Sequence, residues 1–76
     1  MEKHDVDLIQ SLVGRDSELK KYYEEHQDLE RQLNGLQRKG VLTPEETLEK
    51  KRIQKVKLAG KDRIMEILAR HRAARD

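Results

Sequence analysis

Lys39-Gly40-Val41-Leu42-Thr43-Pro44-Glu45-Glu46 is the stretch on which the fold turns, because it stops one helix and starts another within a few residues. Gly40 reads as the residue just past a helix end, where a left-handed backbone closes the last turn. Thr43 can accept the amide three residues on, and Pro44 suits the first helical position because its missing N–H had no helical partner there. Glu46 completes a capping box with Thr43, and Glu45 and Glu46 both favour the positive end of a helix dipole. A stop and a start this close send the second helix back along the first.

Upstream of this corner the apolar residues keep a helical beat. Leu19, Tyr22, His26, Leu29, Leu33 and Leu36 are spaced alternately by three and four residues, with charged or amide side chains almost everywhere between. That is a heptad seam, and it predicts a helix over 17–39 started by Asp16 or Ser17 as the cap. Downstream, at about 100° per residue, Ile53, Val56, Gly60, Ile64 and Ile67 fall on one face of a helix predicted over 44–70, fraying beyond. Lys57 and His71 share that face. A third segment, 4–13, places Val6, Ile9 and Val13 together with Leu8 and Leu12 beside them, and Gly14 ends it.

The expected fold is therefore all-α: an antiparallel two-helix hairpin, coiled-coil-like, with a short N-terminal helical segment, forming one domain over 1–76. The seam core is expected to be Leu19, Tyr22, His26, Leu29, Leu33 and Leu36 against Ile53, Val56, Ile64 and Ile67. Turning near residue 41, the hairpin sets Tyr22 opposite Gly60. A phenol ring in the space of a missing side chain would give a mid-helix glycine a purpose.

Composition narrows the function classes. Seventeen Lys and Arg stand against 15 Asp and Glu, a net charge of +2, with two aromatics and no Cys. Without Cys there is neither a disulfide framework nor a thiolate metal site, which fits a reducing cytoplasm, the expected location. No apolar run approaches the roughly 20 residues of a membrane span, and Asp5, Asp7 and Gln10 interrupt the N-terminal apolar residues where a signal peptide needs continuity. His4, His26 and His71 lie too far apart in sequence to make a helical metal pair, so no metal or cofactor is expected. Ser11 and Ser17 have no His and Asp in workable relation, and a helix pair offers no dry concave pocket, so no catalytic residue is nominated. His26 reads as a packed seam histidine, with a pH switch against Lys57 as the alternative.

Once these helices are placed, the strings Glu25-His26-Gln27-Asp28-Leu29, Thr43-Pro44-Glu45 and Lys57-Leu58-Ala59-Gly60-Lys61-Asp62-Arg63-Ile64 can be read together. Over roughly residues 5–68 the chain resembles the YdcH-like family of short bacterial proteins. The resemblance implies a helical hairpin of unknown function and supplies no catalytic or binding residues. Gly60 departs from the pattern, standing where a large aliphatic residue is expected.

Two surfaces remain as candidates. Leu58 and Met65 lie seven apart on the second long helix, off its seam, and an apolar pair facing water in so polar a chain marks a contact surface. Lys50, Lys51, Arg52 and Lys55 open a run without an acid between Glu49 and Asp62, and read either as a solvated face or as phosphate contacts. The expected function is a non-enzymatic protein–protein interaction module working through coiled-coil-type contacts, with self-association or another helical protein as partner. The alternative is a nucleic-acid accessory protein using those basic residues. No recognition-helix motif or interleaved aromatics support sequence readout.

Overall fold

The computed structural model describes residues 2–75; Met1 and Asp76, included in the single-domain expectation, lie outside it. Its elements are α1 (Lys3–Leu12), α2 (Ser17–Gln37) and α3 (Pro44–Arg75), and among the described residues there is no strand. The chain is all-helical. It measures 49 × 20 × 17 Å, a length set by α3, whose 32 residues at 1.5 Å each span about 48 Å.

The helix ends follow local chemistry. Asp16 caps α2 by accepting the Leu19 amide on Oδ1 at 3.0 Å. At α3, the Glu46 amide donates to Thr43 Oγ1 at 3.1 Å while the Thr43 amide donates to Glu46 Oε1 at 3.0 Å, a reciprocal capping box. Gly40 has φ +76°, the left-handed conformation that a side chain would strain. α2 ends at Gln37, two residues short of the expected boundary, since Arg38 and Lys39 are taken into the turn that Gly40 closes.

Side chains of α2 and α3 meet along most of their length. Lys39 pairs with Glu46 near the connection, Glu30 with Lys57 midway, and Glu18 with Arg70 at the far end at 3.1 Å. Residues farther back along α2 thus meet residues farther on along α3. The buried core lies at the far end from the connection: Ile9 and Leu12 of α1, Leu19 of α2, and Ile64, Ile67 and Leu68 of α3 form one cluster. Nearer the connection only Leu33 and Ile53 are buried.

α3 continues through Arg75, five residues beyond the predicted end. Long-range bonds hold its last turns. The His71 ring Nε2 lies 2.8 Å from Asp16 Oδ2, and Arg72 Nη2 donates to Asp5 Oδ1 at 2.7 Å. Asp5, a carboxylate unremarkable in sequence, is thereby buried beside Ile9 on the packed face of α1. A buried carboxylate without such a partner would be strongly unfavourable.

Two seam expectations need correction. Val56 is 50% exposed. At 3.6 residues per turn a helix cannot hold both 56 and 57 on one line, and the Lys57–Glu30 ion pair sets 57 on the side facing α2. Tyr22 does not fill the space at Gly60 either, because a Cβ built on Gly60 would meet nothing within 4 Å. The ring instead lies under the Arg63 guanidinium, 6.0 Å from its centroid, an attraction glycine cannot offer. The other seam residues divide by depth. Leu19, Leu33, Ile53, Ile64 and Ile67 are buried, and Tyr22, His26, Leu29 and Leu36 are half-buried.

Candidate interaction surface

The apolar residues of α3 occur on both of its sides. Its inner side is covered by α2 and α1. Its outer side follows from the same periodicity half a turn away: Leu48, Lys51, Lys55, Leu58, Asp62, Glu66 and Ala69 recur at three or four residues and all are exposed. Leu48 is 68% exposed and Leu58 60%. A shallow hollow beside Leu58 is lined by Lys51, Arg52, Gln54 and Lys55. No equivalent exists on α2, whose exposed residues are all polar, charged or glycine.

The expected Leu58–Met65 pair is split. Met65 is half-buried against the core cluster that α1 completes with Ile9 and Leu12, while Leu58 lies beyond the reach of α1 and stays open. Leu48 takes Met65's place as the second apolar point on this face. Leu48 lies ten residues from Leu58 with four lysines between them, so the two do not stand out as an apolar pair in the sequence. The spacing of three, four and three through Lys51 and Lys55 was the signal that would have found it.

The four candidate phosphate contacts do not act as one group. Arg52 is held by Glu49, its Nε donating to Glu49 Oε2 at 3.1 Å. Lys50 is half-buried toward the inner side. Lys51 and Lys55 face outward with no ion-pair partner among the described residues, and Asp62, farther along the same stripe, has none either. Glu66 accepts from Arg63 Nη1 on Oε2 at 2.8 Å, leaving Oε1 free.

His26 sits half-buried on the seam, and its Nδ1 has no hydrogen-bond partner among the described residues. Burial holds the imidazole below its usual value, with Glu30 opposing the shift and Lys57 and Lys61 adding to it. Burial thus favours the neutral form of this ring. Among the described residues no three His, Asp or Glu side chains converge as a metal-binding group, and no helix is long and apolar enough to cross a membrane.

No family model matches the chain, and no curated protein or solved structure matches it.

Proposed function

We propose that the chain is a non-enzymatic interaction module of the cytoplasm, an antiparallel helical hairpin that presents the outer face of α3 for coiled-coil-type contact with another helix. The observation that carries this reading is the exposure of Leu48 and Leu58 on one stripe of a helix whose opposite side is already packed. Apolar side chains at helical spacing on a free face are what a partner helix recognises. The resemblance of residues 5–68 to the YdcH-like family of short helical hairpins agrees with this architecture and names no activity. The test is a Leu48→Glu, Leu58→Glu double variant. Both positions are exposed, so the circular dichroism spectrum should be unchanged while association, with a copy or with another helical protein, is lost. Association equal to wild type would refute the proposal.

A second reading has Lys51 and Lys55 contacting nucleic-acid phosphates, since the chain itself leaves them without ion-pair partners among the described residues. Asp62 and Glu66 on the same stripe would repel a polyanion laid along it, so protein contact is the stronger reading. Affinity for duplex DNA or RNA that falls steeply with salt would reverse that preference.

A further inference from the structure

The exposed stripe of α3 carries charges that change sign about its centre. From Leu58–Ala59 outward, Lys55 mirrors Asp62, Lys51 mirrors Glu66, and Leu48 mirrors Ala69. At 1.5 Å per residue these pairs lie about 5, 11 and 16 Å either side of the midpoint. We infer that this face docks a second copy of the chain, α3 against α3 in antiparallel sense, about a two-fold axis at Leu58–Ala59. The inference rests on the interaction reading above and names its partner.

A two-fold axis at that point sets Lys51 and Lys55 of each copy opposite Glu66 and Asp62 of the other, with the two Leu58 side chains flanking the axis. The interface is isologous, the same patch serving both sides. Three of the four charges concerned, Lys51, Lys55 and Asp62, have no ion-pair partner within the described chain, and Glu66 keeps one carboxylate oxygen free. A parallel pairing would set lysine against lysine and acid against acid. Shifting the axis several residues toward Lys51–Lys55 would do the same to the lysines, so the charge pattern selects both the direction and the register.

Exposed charge pairs are screened by salt, so ionic strength should control the dimer. Sedimentation equilibrium of the wild type should give twice the 9.0 kDa chain mass at about 10 mM salt and fall toward the single mass at about 1 M, where the screening length shrinks from about 30 to about 3 Å. Lys51→Glu, Lys55→Glu makes the stripe wholly acidic, and Asp62→Lys, Glu66→Lys makes it wholly basic. Each variant alone should remain at the single mass with an unchanged helical spectrum, and an equimolar mixture of the two should recover the doubled mass. Independently, Ala59→Cys supplies the only thiol in the chain and should oxidise to a self-crosslinked dimer, whereas Gln27→Cys on α2 should not. A wild type at the single mass under low salt, a mixture that fails to reassociate, or equal crosslinking from both cysteine variants overturns the second-copy assignment. If the wild type is monomeric but binds a different helical protein that the Leu48→Glu, Leu58→Glu variant does not, this inference falls and the interaction reading stands. Monomeric behaviour with no loss of any partner removes both.

Discussion

Replacing Gly60 by alanine should stabilise the protein, which is unusual for a substitution within a helix that packs against another. Glycine in a helix interior is less favourable than alanine by about 1 kcal/mol, because its unfolded backbone has more freedom to lose. Whether the whole of that gain is realised depends on what the new methyl group meets. At Gly60 a Cβ meets nothing within 4 Å, so no steric cost opposes it. The expected gain is about 1 kcal/mol, or roughly 4–8 °C in Tm for a chain of this size. Gly40 supplies the opposite sign. A Cβ there also has open space, but the backbone stands at φ +76°, so Gly40→Ala should lose about 1 kcal/mol through strain alone. Thermal unfolding followed at 222 nm measures both. A Gly60→Ala variant melting at or below the wild type would show that the Tyr22 ring does occupy that space, and the register described for α2 on α3 would have to be redrawn.

Acid should unfold the protein through identifiable carboxylates. The hydrogen bond from His71 and then the Leu19 amide hold Asp16 below the usual carboxylate range, the bond from Arg72 does the same for Asp5, and Lys39 with the Thr43 amide brings Glu46 down to about 2. Each binds its proton less readily folded than unfolded, so its stabilisation is complete above about pH 4.5 and drains away as pH falls toward about 2. Asp16→Asn keeps the cap but not the charge, so its urea midpoint should fall less steeply across that window; an identical acid limb would refute the role given to Asp16. His26 has the opposite chemistry but the same direction of loss. Its folded value is lowered, so stability declines as pH drops below about 6.5 and the unfolded ring takes up a proton first. His26→Leu should abolish that decline and, by removing a buried nitrogen with no partner among the described residues, add about 1 kcal/mol at neutral pH. Equal pH slopes in the two proteins between about pH 7.5 and 5.5 would contradict this.

The helices and their starts were legible because their signals are local. Asp16 capping the Leu19 amide and Thr43 exchanging bonds with Glu46 depend on residues three apart, and the α2 seam on spacings of three and four. What periodicity could not say is which element returns to cover which face. Met65 looked as free as Leu58 on a helical wheel, and only the docking of α1 separates them. Asp5–Arg72 and Asp16–His71 join residues more than fifty positions apart, so neither the burial of Asp5 nor the extra turns of α3 had a nearby signal. Val56 was lost to a contest between neighbours that the Glu30–Lys57 ion pair decided. On the candidate surface Leu58 could be read directly. The acidic half of the stripe, Asp62 and Glu66, has no exposed large apolar residue beside it to mark it.

The lopsided placement of the core has a mechanical consequence. Most of the buried side chains lie where α1 and the end of α3 close over the start of α2, whereas toward the connection only Leu33 and Ile53 are buried, with Val41 88% exposed at its tip. Helical proteins commonly loosen from their ends inward, but here α1 and the turn of α3 around His71 and Arg72 are tied to the core, and the bend is the weak end. Breathing should begin at the loop and travel away from it, with amides around 34–50 exchanging with solvent well before those around 9 or 67. A graft of extra residues at Val41 would then lengthen a hinge that already bears little load, which makes that tip the natural attachment point for a reporter.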